Sequence, residues 1–332
     1  MNSTPKPRFE PLPLAERNLA LGYRQFGDPL SVLALETTAL APCAADLLRV
    51  EMQFAPINAS DLIPITGAYR HRVQPPLIAG YEGVGSVIDA PPPYRHLLGQ
   101  RVLPLRSAGT WQRYIDCDPK LAIPVPPDIP STLAARAYIN PLAAFLMLQQ
   151  WSPAGKRVLI TAGGSTCALL LAQWARHMGA SSITVIHRAP QHAARLQALD
   201  FVSLPETQRD EIAAVAQQSD VVFDAVGGEI GQLIWQALPT QAQFVAYGVL
   251  SGKPVQVNAA RPALHWFHVR HTLDELPHQD WQQLFCEIWP LLRNSECGEV
   301  AIFPLTQWHD AVQCYYQSGR DRKPLLDMSE TD

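Results

Sequence analysis

The sequence predicts an α/β protein, a doubly wound parallel sheet with helices on both faces, preceded by a separate β-rich domain. Three observations predict it. From residue 157 onward, apolar strand-like runs alternate strictly with helix-like runs. Prolines number 30 in 332 residues and crowd into the first 155, where they exclude long helices and suit short strands joined by turns. Finally, "LITAGGSTCALLLAQWARHMGA" at 159–180 runs from an apolar strand through small residues into an apolar-faced helix, as a dinucleotide-binding βα turn does.

Taken in order, "LLRVEMQFAPIN", "GYEGVGSVIDA", "QRVLPL" and "TWQRYIDC" read as short strands up to about residue 125. The stretch "STLAARAYINPLAAFLMLQQW" places apolar residues at helical spacing and predicts a helix over 131–151, with Ser131 or Thr132 as N-cap. Five strands then alternate with helices: "KRVLITA", "SITVIH", "FVSL", "SDVVFDAVGG" and "QFVAYGV". The helix after the first strand stops at Gly179. The tail predicts a helix at "WQQLFCEIWPLLRN", a strand at "EVAIFPL", a helix at "WHDAVQCYYQSG" and a closing "RKPLLDM". Packing that tail on the β-rich domain gives expected domains of 1–128 with 283–332, and 129–282.

Composition narrows the function classes. A net charge of −4 gives no reason to expect nucleic acid or an anionic membrane as partner. No apolar run approaches the roughly 18 residues of a membrane span. The first residues, "MNSTPKPRFEPLPLAERN", lack an apolar signal core and carry acids, so a cytoplasmic protein is expected. The six cysteines include no C-x-x-C pair, so neither a disulfide framework nor a metal site is expected of them.

The loop Gly163-Gly164-Ser165-Thr166-Cys167-Ala168 keeps only the first glycine of a G-x-G-x-x-G fingerprint. Phosphate is held there by backbone N–H groups at the helix N-terminus, which need no glycine side-chain absence to act. Ser165 is small and can itself hydrogen-bond, and alanine is an accepted variant at the last position. At the end of the second strand, NAD-binding units carry an acid for the ribose 2′-hydroxyl; here stand His187 and Arg188, and no acid follows until Asp200. A cation there pairs with a 2′-phosphate, so NADP(H) is expected over NAD(H).

A β-rich domain before a Rossmann domain, with "NASDL", "AGYEGVGSV", "ITAGGS", "DVVFDAVGG" and "KPLLDM", resembles the medium-chain dehydrogenase/reductase superfamily over essentially the whole chain. The resemblance implies a GroES-like catalytic domain beside the Rossmann domain. Zinc-dependent members carry a Cys in the stretch matching Asn58–Asp61 and a Gly-His-Glu where this chain has Gly80-Tyr81-Glu82. Asn58 and Tyr81 are not ordinary zinc ligands, so no metal is expected and Glu82 reads as structural. Without a Lewis acid, the resemblance shifts the expected reaction from alcohol oxidation to reduction of a conjugated double bond.

"NASDLIPITGAY", "GTWQRY" and "INPLAAFLML" are similar to segments of the 2-enoyl thioester reductases, with quinone oxidoreductases the next branch. The resemblance implies Tyr69 as catalytic acid, since a phenol stays protonated at neutral pH and can donate to the thioester oxygen or to Cα. It implies cofactor contacts at Asn140, at Gly164, Ser165, Thr166 and Cys167, at His187 and Arg188, at Tyr247, Gly248, Val249 and Leu250, at Trp266 and Phe267, and at Lys323. Arg70, His71 and Arg72 are either a contact for acyl-carrier phosphates or a solvated loop. The family habit implies a homodimer. A quinone oxidoreductase and a non-catalytic nucleotide-binding protein are the alternative functions.

Overall fold

The computed structural model describes residues 17–257, 262–273 and 276–329, so the proline-rich "PKPRFEPLP" lies outside the described residues. The chain divides into two compact units. One comprises residues up to Val125 with Phe303–His309 and the segment from Leu326; the other comprises Pro126–Ile302 with Asp310–Leu325.

The first unit is built from β1 (Arg17–Tyr23), β2 (Leu33–Ala39), β3 (Leu48–Pro56), β4 (Leu77–Ile78), β5 (Val84–Asp89), β6 (Arg101–Pro104), β7 (Tyr114–Cys117) and β8 (Ala122–Pro124), with the single-turn helices α1 (Pro29–Val32) and α2 (Ala59–Leu62). β1 pairs antiparallel with β2 and β4. β3, β5, β6 and β8 follow one another in an antiparallel sheet, and β7 lies along β3. Short strands broken by proline and glycine match the sequence expectation. The last residues of the chain return here: the Met328 N–H donates to the Gln53 carbonyl at 2.9 Å, and Leu326 and Met328 are buried.

The second unit holds α3 (Ser131–Ala134) and α4 (Ile139–Gln150), then a parallel sheet of β9 (Arg157–Ile160), β10 (Ser182–His187), β11 (Val202–Pro205), β12 (Val221–Asp224), β13 (Gln243–Ala246) and β14 (Ala263–Trp266). The helices between them are α5 (Thr166–His177), α6 (Gln191–Ala198), α7 (Arg209–Ala216) and α8 (Gly228–Ala237). Strand order is β11-β10-β9-β12-β13-β14, so the chain reverses direction of travel between β9 and β12. Such a switch point opens a crevice at the carboxyl ends of the strands. Strands covered on both faces must be apolar almost throughout, and β12 is buried at all four positions and β10 at five of six.

Four expectations need correction. The helix predicted over 131–151 is two helices, because a proline ring at Pro141 would meet the carbonyl of Ala137 in a continuous helix. Its N-cap is Pro130, with Ser131 already inside the first turn. A sixth strand, β14, extends the parallel sheet beyond the five expected. Most of the tail belongs to the second unit. Its helix α10 (following α9, Val269–Leu273) spans His278–Arg293 and packs Trp281 against Tyr138 with ring centroids 6.0 Å apart. The Arg293 guanidinium grips Asp128, Trp174 Nε1 donates to Ser295 Oγ at 2.8 Å, and Arg136 donates to the carbonyls of Cys297 and Gly298. The closing elements β15 (Val300–Pro304), α11 (Trp308–Tyr316) and β16 (Lys323–Asp327) carry the chain between the units.

Candidate active site

In the first unit, three motifs far apart in the sequence interlock. Asp61 accepts the Asn58 N–H at 2.7 Å and the Tyr81 N–H at 2.9 Å, so "NASDL" clamps the start of "GYEG". The Asn58 amide donates to Glu82 Oε1 at 2.7 Å, and the Thr110 hydroxyl donates to the Glu82 carbonyl at 2.8 Å. Trp111 is fully buried, donates to the Pro56 carbonyl, and lies where any side chain at Gly80 would collide with it. Asn58 and Glu82 therefore bind each other, beside the Tyr81 N–H that Asp61 holds. Among the described residues no group of three His, Cys, Asp or Glu is placed to hold a metal ion.

Tyr69 follows this clamp, two residues after Gly67, which turns the chain at φ +85°. Its carbonyl accepts the N–H groups of Arg72 and Val73, and its half-buried ring meets His71 edge-on at 6.3 Å. Its hydroxyl makes no hydrogen bond among the described residues. Arg70 and Arg72 are exposed, and Arg70 Nε turns back to the Gly67 carbonyl at 3.1 Å.

In the second unit, four loops gather at the carboxyl ends of β9, β10, β12 and β13. After β9, Gly163 approaches β10 so closely that a Cβ would lie 2.6 Å from Val185 Cγ1. Gly164 likewise has no room for a side chain beside the His192 ring. Ser165 caps α5, its hydroxyl accepting the Ala168 N–H at 3.2 Å. The N–H groups of Thr166 and Cys167 ahead of it have no intrahelical acceptor. These groups and the positive end of a three-turn helix suit a phosphate. Gly179 ends the helix with φ +85°, as the sequence indicates.

Asn140, in the first turn of α4, joins this loop: its carbonyl lies 3.9 Å from Cys167 Sγ. Burial pushes the Cys167 thiol up to about 12, so it is a neutral packing group and no nucleophile. Tyr247, after β13, brings a buried hydroxyl beside Ser165 and Cys167, and burial drives its phenol well above the ordinary range. Among the described residues that hydroxyl has no well-formed hydrogen bond to protein. A buried polar atom left open against a phosphate loop fits a site completed by a polar ligand. The following residues lie on the loop after β12: Gly248 packs against Ala225, and the Leu250 N–H donates to the Ala225 carbonyl at 2.9 Å. Val249 and Leu250 are exposed.

His187 is buried and donates Nδ1–H to the Ala189 carbonyl at 3.1 Å, whereas Arg188 is exposed and forms no ion pair among the described residues. Trp266 and Phe267 face opposite ways. Trp266 is 54% exposed, while Phe267 turns inward against Trp151 at 6.3 Å, because consecutive residues leaving a strand face opposite sides. Lys323 begins β16, its N–H donating to the Glu299 carbonyl at 2.8 Å.

Sequence reasoning missed Thr161 and Asp224. Both are fully buried, and the Thr161 hydroxyl donates to Asp224 Oδ1 at 2.6 Å while accepting the Ala225 N–H at 3.0 Å. Asp224 also accepts the N–H groups of Val226 and Gly227. These bonds tie the ends of β9 and β12 together across the switch point. Asp224 stands inside the "DVVFDAVGG" motif, but nothing in that pattern pairs it with Thr161. His192 was also missed, although it follows Arg188 by four residues and stands in the first turn of α6.

A doubly wound unit with a serine-capped phosphate turn, joined to an antiparallel unit in which Asn58, Asp61 and Glu82 clamp the "GYEG" turn, defines a medium-chain dehydrogenase/reductase. No family model matches the chain. The mitochondrial enoyl-[acyl-carrier-protein] reductase of Rattus norvegicus is 31% identical over 332 residues, covering 93% of this chain and 88% of that one. A solved structure from Bacillus thuringiensis, assigned as an NADPH:quinone reductase, superposes with a TM-score of 0.88 at 30% identity, covering 94% of this chain and 99% of its own. The complex of Etr1p with NADP and crotonyl-CoA shares the fold, with a TM-score of 0.79 at 19% identity over 94% of this chain and 99% of its own. The chain belongs to the enoyl-[acyl-carrier-protein] reductase family.

Proposed function

We propose that this chain reduces the carbon–carbon double bond of a 2-enoyl thioester, enoyl-CoA or enoyl-acyl-carrier-protein, with NADPH. The observation that carries the reading is the second unit's pairing of a serine-capped α5 N-terminus with an Arg188 that has no ion-pair partner among the described residues, at the end of the neighbouring strand. The first accepts the pyrophosphate and the second the 2′-phosphate. Family membership and the NADP and crotonyl-CoA held by Etr1p supply the substrate class.

When bound, NADPH supplies the hydride, which goes to Cβ of the substrate. Asn140, Gly164 to Cys167, Tyr247 to Leu250, Trp266, Phe267 and Lys323 seat the dinucleotide, with His187 and Arg188 at its 2′-phosphate. Tyr69 donates a hydrogen bond to the thioester oxygen, where negative charge collects, and Cα takes a proton from solvent. A donor that is fixed before reaction and not spent on a protein acceptor is worth most there. The saturated thioester and NADP+ result. A cytoplasmic homodimer goes with this reading; no described helix is long and apolar enough to cross a membrane.

The likeness to the Bacillus thuringiensis structure favours a second reading, an NADPH:quinone reductase. Following NADPH oxidation with crotonyl-CoA and with a simple quinone separates the two. Faster turnover of crotonyl-CoA supports the proposal; turnover of the quinone alone replaces it.

A further inference from the structure

Among the described residues, the end of β10 carries more positive charge than the protein neutralises. His187, Arg188, His192, Arg195 and Arg320 surround it. Glu296 holds Arg195 at 2.9 Å, and Asp321 sits 3.9 Å from Arg322. Neither Arg188 nor Arg320 has a carboxylate partner among the described residues. The half-buried His192 ring is held below its ordinary pKa, first by burial and then by the fields of His187, Arg195, Arg320 and Arg188. Like charges gathered in this way are costly unless an anion joins them.

Arg320 reaches this place from the far end of the chain. The turn before it rests on the segment after β10: Gln191 donates to the Gly319 carbonyl, and a Cβ on Gly319 would lie 3.2 Å from that of Ala189. Its guanidinium lies over the Tyr315 ring at 4.3 Å and spends one N–H on the Tyr315 carbonyl at 2.7 Å. That anchoring fixes the fork and leaves its remaining donors uncommitted among the described residues. The His192 imidazole, which feels the Arg320 charge, lies against Gly164 of the phosphate loop.

We propose that Arg320 and His192 complete with Arg188 the recognition site for the 2′-phosphate of NADP(H), and that Arg320 sets the preference for NADPH over NADH. The inference rests on the proposed use of NADP(H). Position identifies the phosphate. The pyrophosphate belongs at the α5 N-terminus, whereas the ribose end of the nucleotide lies at the end of the second strand, where the 319–320 turn rests on Ala189 and Gln191 just after Arg188. A phosphomonoester carries a charge of roughly −1.5 to −2, which matches two arginines and a polarised imidazole.

The test titrates NADPH, NADH and coenzyme A into the full chain and into Arg188→Ala, Arg320→Ala, Arg320→Lys and Arg322→Ala. Arg320→Ala is expected to weaken NADPH about tenfold, the loss of a charge-assisted contact, with NADH and coenzyme A unchanged. Arg320→Lys recovers part of that loss, and Arg322→Ala changes nothing. Unchanged NADPH affinity in Arg320→Ala, while wild type prefers NADPH and Arg188→Ala loses that preference, overturns the role of Arg320 alone. Equal weakening of NADH, or weakening of coenzyme A instead, overturns it too. A wild-type chain that binds NADPH no more tightly than NADH removes the underlying reading, and the inference with it.

Discussion

Replacing Thr161 with Val keeps the shape of the side chain and removes one oxygen from the seam between β9 and β12. The Ala225 N–H then loses its acceptor in a buried position, at about 1–3 kcal/mol. Asp224 loses one of three donors, worth about 1.5–3 kcal/mol while the carboxylate is ionised. Some of this is recovered by relaxation, so the expected destabilisation near neutral pH is about 3 kcal/mol. The pH dependence carries the sharper signature. Burial raises the Asp224 carboxyl above its ordinary 3.8, and the Thr161 donor opposes that rise. Without the donor the folded pKa climbs further, so the variant loses additional stability as pH rises through it. Urea unfolding followed by tryptophan fluorescence at about pH 5 and about pH 7.5 reads both effects; Trp174 and Trp235 report on this unit. A deficit below about 1 kcal/mol, or one that is larger at the lower pH, refutes the seam as described.

Gly163→Ala places a methyl 2.6 Å from Val185 Cγ1 and 3.1 Å from the Ile186 carbonyl, so thermal unfolding should show a loss of about 1–3 kcal/mol together with weaker NADPH binding. Arg188→Glu should weaken NADPH by about tenfold or more and NADH far less, measured by titration; equal effects speak against a 2′-phosphate contact. Asp220 is held below its ordinary 3.8 by its hydrogen bonds from Arg157, so the pair's contribution is complete above that value and is lost as pH falls through the lowered one. With both side chains partly exposed it is worth about 0.5–1 kcal/mol, and Asp220→Asn should flatten the acid limb of the stability profile by that amount. Tyr69→Phe should lower turnover of an enoyl thioester strongly while leaving NADPH affinity within about twofold, since the phenol acts on substrate.

Much of the second unit was legible because each part depends on local pattern. Strands buried on both faces must be runs of apolar residues, as "SITVIH" is, and Gly179 marks the end of α5 by its own backbone chemistry. β14 escaped notice because four residues, Ala263–Trp266, carry too little pattern to separate a strand from a loop. Pro141 was visible but was read as part of a longer helix, although its ring sets the break. The motifs of the first unit could be seen as patterns, but not that Asn58 would spend its amide on Glu82. The same limit hid Thr161 from Asp224. Each of these pairs is made by tertiary contact between residues with no periodic relation in the chain.

The most direct test of the central claim follows the hydride itself. NADPH deuterated at C4 of the nicotinamide is incubated with crotonyl-CoA and the protein, and the product is analysed by mass spectrometry and NMR. The account predicts butyryl-CoA carrying deuterium at Cβ and a solvent-derived proton at Cα. Unreacted crotonyl-CoA, or a reduced product with deuterium anywhere but Cβ, contradicts it.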